Sequence, residues 1–321
     1  MDLNDLINRI GIKPSTKRNG ALDTYINNSQ NKARLETLLS EFLRIINNKS
    51  APDSDDMHVQ SDKVAIYYNY IYKNLNVNYT LRDIEKFLNY PILHVEYNKQ
   101  EDNDEDIDIK LGLFISAAIN KCIKKGEEIH INSRIPIDYP LYKLKYMEAH
   151  VNIVCDDLGE QAKNSKIYAG ETGDFLGCYA NGCEIYAKEA GDYAGYYMQR
   201  CELHVKKAGN ALGFGAINSK IYADKAGKTS YGGEEVYLIG KGMKDSEIYI
   251  DKLIGSLSDD IFKGNNEVYL GKESYNKFIQ NYPENINKVK LWKKQKQNVD
   301  VFSGDYYGPK WPYKQDRYKT Y

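Results

Sequence analysis

The chain has almost no excess of charge, with 44 Lys and Arg against 45 Asp and Glu. A chain without a net field of either sign is not committed as a whole to nucleic acid or to acidic membranes. No run of 18 apolar residues occurs, which excludes an ordinary helical membrane span and sets the expectation that no membrane is involved. Residues 1–12 carry neither a cationic leader nor an apolar stretch, so no signal peptide is read and a cytoplasmic location is expected. Cysteine is scarce. Cys122, Cys155, Cys178, Cys183 and Cys201 form an odd set without a C-x-x-C pair, which fits reduced thiols rather than a disulfide framework. The five histidines, His58, His94, His130, His150 and His204, show no HxxxH or HxxE spacing, and there is no G-x-x-x-x-G-K-[ST]. No catalytic residue, metal site or cofactor is therefore expected.

Local pattern divides what is present into three parts: 1–127, 128–271 and 272–321. The first is mainly helical. Leu3, Leu6, Ile7 and Ile10 share one helical face over Asp2–Ile10, and Leu35, Leu38, Leu39, Phe42, Leu43 and Ile46 form the buried stripe of a helix over about Lys32–Ile46. Ser61 and Thr80 are candidate N-caps, Thr80 with Asp83 three residues on. The carboxylate-rich run Glu101–Asp108 is expected to be a solvated loop, followed by a buried helix that ends at Gly126. The period then changes from 3.6 to 2: "EIHIN" (128–132) and "HVNIV" (150–154) alternate as strands do.

The second part repeats. "KIY" at 166, "EIY" at 184, "ELH" at 202 and "KIY" at 220 are 18 residues apart, and glycines keep the same step. "EVY" (235–237), "EIY" (247–249) and "EVY" (267–269) continue the triplet irregularly. Residues 155–271 hold 18 of the 24 glycines. A period this short, with one strand and two glycine-rich corners, suits one coil of a β-solenoid. The hexapeptide alternative fails, because the sixth positions after Ile185 are Gly191, Tyr197, Leu203, Gly209 and Gly215, not a row of aliphatics. Ile167/Ala169, Ile185/Ala187, Leu203/Val205 and Ile221/Ala223 are expected to face inward. Tyr168, Tyr186, His204, Tyr222, Tyr237, Tyr249 and Tyr269 are expected to form an outward column, the candidate interaction face.

The stretches "TGDFLGCYANGCEIYA" and "AGDYAGYYMQRCELHV" resemble the GXGXG repeat. That repeat forms the C-terminal domain of the glutamate synthase large subunit and occurs in one of the subunits of formylmethanofuran dehydrogenase. The resemblance spans about 155–271 and implies a single-stranded right-handed β-helix, with Gly173, Gly177, Gly191, Gly195, Gly209, Gly213, Gly227 and Gly255 in the positions of the motif glycines. In those enzymes the module is a structural element that contacts other subunits. The remainder of the chain lacks their flavin and iron–sulfur features.

The fold expected is thus α+β: a helical N-terminal domain, a β-helix of 18-residue coils and a basic, aromatic tail packing back on it. Cys183 and Cys201 are expected to stack between Ser165 and Ser219 as small residues filling a corner rather than as a redox pair. The expected function is a non-catalytic structural or protein-interaction scaffold, with another protein or a second copy as partner. Two alternatives stand: an accessory subunit or diverged relative of a glutamate synthase or formylmethanofuran dehydrogenase type of redox enzyme, and nucleic-acid or polysaccharide binding through the Tyr column or the basic tail. Nucleic acid is the less favoured partner.

Overall fold

The computed structural model describes residues 29–48, 61–76, 79–101, 106–133, 135, 137–153, 155–228, 238–263 and 265–292. Among the described residues five helices come first: α1 (Ser29–Ile46), α2 (Ser61–Asn74), α3 (Leu81–Phe87), α4 (Pro91–Glu101) and α5 (Ile107–Cys122). The stretch Asp2–Ile10 lies outside the described residues. Thr80 caps α3 reciprocally: its hydroxyl accepts the Asp83 N–H at 3.3 Å, and the Asp83 carboxylate accepts the Thr80 N–H at 2.8 Å. Helix α4 escapes the sequence reading; Pro91 at its first position is the start signal, since proline there loses no intrahelical bond. No helix among the described residues is long and apolar enough to cross a membrane.

Nine strands follow among the described residues: β1 (Glu128–Asn132), β2 (Glu148–Asn152), β3 (Lys166–Glu171), β4 (Glu184–Ala190), β5 (Glu202–Ala208), β6 (Lys220–Ala226), β7 (Glu247–Leu253), β8 (Glu267–Leu270) and β9 (Val289–Leu291). All pair in parallel and in chain order, a solenoid-like arrangement. Strand β2 begins two residues before the predicted one. Strand β9 and a helix α6 (Lys272–Asn281) occupy part of the stretch assigned to the tail, and residues 293–321 lie outside the described residues. The triplet at 235–237 also lies outside them, and β6 pairs directly with β7.

The register stacks like on like. Ile167, Ile185, Leu203, Ile221 and Ile248 form one inward row, with Ala169, Ala187, Val205, Ala223 and Ile250 beside it, all nearly inaccessible. Between strands the chain adopts left-handed backbone at the same places in each repeat: at Asp157, Gly159, Gln161 and Asn164, then Phe175, Gly177, Tyr179 and Gly182, then Tyr193, Gly195, Tyr197 and Arg200. Of the eight motif glycines, Gly177, Gly195, Gly213 and Gly227 have positive φ, whereas Gly173, Gly191 and Gly209 are set by close approach of the adjacent repeat and Gly255 lies against Gly227. Most left-handed positions carry side chains, which costs each roughly 1–2 kcal/mol. Arg200 is an exposed example, between Gly182 and Asn218 in its row. Arg200→Asn is expected to stabilise the chain by up to about 1 kcal/mol, because asparagine tolerates this conformation. An unchanged or lower denaturation midpoint would contradict that.

Two side-chain ladders run along the corners. The carboxylates of Asp138, Asp156, Asp174 and Asp192 accept the N–H of Asp156, Asp174, Asp192 and Asn210 at 2.6–3.0 Å. On the other corner the N–H of Cys183 donates to Cys201 Sγ (3.3 Å), that of Cys201 to Ser219 Oγ (3.2 Å) and that of Ser219 to Ser246 Oγ (3.1 Å). Each of these thiol and hydroxyl acceptors in turn donates to the carbonyl two residues before it. The two cysteines therefore act as small rungs that satisfy buried amides.

The helices close the open end of this stack. An unpaired strand edge invites association with other chains. Here Glu85 of α3 accepts the His130 N–H at 2.8 Å, and Asn89 donates to the Asn132 carbonyl at 2.6 Å. From α5, Ser116 Oγ donates to the Tyr139 carbonyl (3.0 Å) and accepts the Tyr142 N–H (3.1 Å), while Asn120 donates to the Tyr142 carbonyl (2.9 Å). Phe42 and Phe87 meet Phe114 of α5 with centroids 5.3 and 6.1 Å apart, and one continuous buried cluster runs from α1 to β9.

Acidic groups gather beneath this cap. Burial, with Glu160, Asp156 and Asp138 nearby, pushes the Asp157 carboxyl up to about 9, and burial pushes Glu160 up to about 7. Exposed carboxylates titrate near about 4. Between those values the folded chain binds more protons than the unfolded one, so stability falls as pH rises. Asp157→Asn keeps a residue suited to its φ of 54° and removes the larger of the two shifts. It is expected to raise the melting temperature at pH 8 and to flatten its decline between about pH 5 and 9. An unaltered slope would refute this assignment.

A candidate interaction face on the parallel sheet

Outward positions alternate with the buried ones, and parallel register places each directly on its neighbour. Tyr168, Tyr186, His204, Tyr222, Tyr249 and Tyr269 stand in one column, as their spacing predicts. Tyr237 lies outside the described residues, and Tyr222 stacks directly on Tyr249 at 4.7 Å. The column is longer than its tyrosines suggest, because His130 and His150 begin it. From His130 to Tyr269 the successive ring centroids are 4.9, 4.8, 5.1, 4.8, 4.5, 4.7 and 4.3 Å apart. Neighbouring planes lie within 8–20° of parallel over this length. The signal for the two histidines is the pattern Glu-x-His at 128–130 and 148–150, the same as at 202–204.

Two residues before each ring, on the same face, runs a charged row: Glu128, Glu148, Lys166, Glu184, Glu202, Lys220, Glu247 and Glu267. Six carboxylates against two ammonium groups make it acidic. Its members hold the rings. Tyr186 and Tyr249 donate their hydroxyls to Glu184 (3.2 Å) and Glu247 (2.5 Å), Tyr269 donates to Glu267, and His204 Nε2 lies 2.7 Å from Glu202. Lys166 bridges to Glu184 at 2.8 Å, and that hydrogen bond holds the Glu184 carboxyl below its usual range and the lysine above its own. Burial first, then Glu184, pushes the Tyr186 phenol up to about 12. The rings thus spend their faces on one another and present edges and hydroxyls to solvent.

The last described residues continue the column. Lys290 pairs with Tyr269 in register, its Nζ 5.1 Å from the ring centroid, and Trp292 packs edge-on to Tyr249 at 5.7 Å. A second aromatic cluster, unassigned by the sequence, sits on the left-handed corners: Phe175 stacks on Tyr193 (4.9 Å), Tyr179 on Tyr197 (5.7 Å), and Tyr196 on Phe214 (5.2 Å). Where the helices meet the first repeats, a cleft of about 410 Å³ is lined by Tyr68, Tyr72, Asn120, Lys125, Lys143 and Tyr146 among others. Among the described residues all five cysteines are unbridged. Contact with Cys201 and burial push the Cys183 thiol up, and burial pushes Cys122 up to about 11, so neither is poised as a nucleophile. No family model, curated protein or solved structure matches this chain.

Proposed function

We propose that the chain is a non-catalytic scaffold that docks a partner protein on the aromatic and acidic face of its sheet. The observation that carries this reading is the unbroken ring column from His130 to Tyr269, with an acidic row beside it and fully packed side chains behind it. Such a surface is rigid before binding, so little side-chain entropy remains to be lost on association. The row's charge favours a partner with a basic patch and disfavours a second copy placed face to face. We further read the sheet as a single-stranded right-handed β-helix of 18-residue coils of the GXGXG kind, in which the helices are an end cap.

Nucleic acid and polysaccharide are weaker occupants of this face. Stacking on a base or sugar needs a free ring face, and phosphates would meet six carboxylates. The accessory-subunit alternative fits only as a special case, in which the docked partner carries the chemistry. Affinity purification of the full chain under mild salt, followed by mass spectrometry and cross-linking, is expected to recover a stoichiometric protein cross-linked to residues of β3–β8. Recovery of monomeric chain alone, or of oligonucleotides bound to this face, would count against the reading.

A further inference from the structure

We propose that Glu128, His130 and His150 form a binding site for a divalent transition-metal ion of the zinc class, with Glu148 at its rim. The sequence gives no metal spacing, since the histidines stand twenty positions apart. Strand pairing removes that distance. Strands β1 and β2 place His130 against His150 and Glu128 against Glu148, with all outward side chains on one face. Glu128 Oε1 then lies 3.0 Å from His130 Nε2 and 3.1 Å from His150 Nε2, and Glu148 Oε1 lies 3.1 Å from the same nitrogen of His150. Donor atoms of Glu128, His130 and His150 all fall within 4.8 Å of one another.

The two separations between Glu128 and the imidazoles suit a metal. With ligand bonds of about 2.0–2.1 Å, the edges of a tetrahedron of N and O donors around zinc measure roughly 3.3–3.4 Å. The Glu128 oxygen sits within a few tenths of an ångström of that distance from both imidazoles. Two imidazoles and a carboxylate also satisfy the borderline preference of such ions better than an all-oxygen set. The site is held from behind. His150 is sandwiched between His130 and Tyr168, at 4.9 and 4.8 Å, and its side chain is 16% exposed. The His130 backbone is fixed by Glu85 of α3. The outer donors stay open, with the Glu128 and His130 side chains about half exposed, so an aqueous ion has a path in.

This place on the face differs from the others. His204 has Tyr186 and Tyr222 on either side and so lacks a second imidazole. Farther along, lysines occupy two positions of the charged row and pair with its carboxylates, Lys166 with Glu184 and Lys220 with Glu247. Among the described residues of this face, only β1 and β2 bring a pair of histidines to a pair of glutamates. A bound ion would tie the first two strands together beside the helical cap.

Calorimetric titration of the full chain with Zn²⁺ is expected to show one equivalent bound, and Co²⁺ is expected to give the visible absorption of a low-symmetry, four-coordinate site. His130→Tyr and His150→Tyr put the column's own commonest residue at these positions, so stacking and fold are retained. Each is expected to weaken Zn²⁺ binding by about 100-fold or more, a loss at the upper end of what even supporting residues of metal sites produce. His204→Tyr is expected to bind as the wild type does. His150→Gln, which is smaller, serves as a second variant if either tyrosine lowers the melting temperature. The proposal is overturned if the folded chain binds no equivalent of Zn²⁺, or if the position 130 and 150 variants bind it as tightly as the wild type.

Discussion

Gly191→Ala is expected to destabilise the folded chain by about 3 kcal/mol or more, the upper range for an overpacked site. A Cβ at this position would sit 2.7 and 2.8 Å from the backbone carbon and oxygen of Gly173 in the preceding repeat, and 2.1 Å from Asp174 Oδ1. The carboxylate cannot retreat freely, because it accepts the Asp192 N–H at 2.6 Å and is one rung of the aspartate ladder. Relief therefore requires two repeats to separate, which strains the pairing of β3 with β4. Gly126→Ala is the control. Gly126 has a left-handed φ, of 85°, but nothing lies within 4 Å of an added Cβ. It is expected to cost only the conformational term, about 1 kcal/mol. Urea denaturation of the two variants checks the contrast; equal losses would show that close approach between repeats is not what fixes Gly191.

The second large effect is expected at Gly112→Ala, where the helical cap meets the sheet. Gly112 lies within α5, and an added Cβ would fall 1.7 Å from the Asp138 carbonyl oxygen. Alanine normally favours a helix over glycine by about 1 kcal/mol, so local propensity predicts the opposite sign. Contact decides here. To admit the methyl group, α5 must move off the first repeat, and Ser116 and Asn120 then lose their hold on the carbonyls of Tyr139 and Tyr142. The expected result is a loss of at least about 3 kcal/mol, with hydrogen exchange raised first in β1 and β2. Stabilisation by Gly112→Ala would mean that the cap is not docked this way.

Much of the sheet is legible because two periods coincide in the sequence. Alternation within "KIY", "EIY" and "ELH" assigns the inward and outward sides, and the constant step between triplets assigns the neighbours. Glu235–Tyr237 has the same local pattern but lies outside the described residues, and β6 pairs directly with β7. Local alternation does not specify which segment completes a sheet. The start of the column is hidden for a related reason. A strand read as 150–154 puts His150 at its edge, whereas pairing over Glu148–Asn152 puts it at the centre of the outward row against His130. Strand β9 is too short to announce itself, and its identity comes from β8 alone. The left-handed corners carry Tyr, Phe, Arg and Asp as well as glycine, so counting glycines finds only part of them. The charged row is present in every triplet as its first letter; its meaning needs the register that sums six glutamates onto one face.

The direct test of a docking face is to reverse its charge while leaving its core intact. Glu184 and Glu202 are exposed or half-buried members of the acidic row on adjacent strands, and Glu184→Lys with Glu202→Lys changes no inward residue. The doubly substituted chain is expected to keep wild-type circular dichroism and to lose the partner that the wild-type chain retains in parallel purifications. Binding of the wild type is expected to weaken with added salt. Retention of the same partner by the reversed face, at the same yield and salt dependence, would contradict the account.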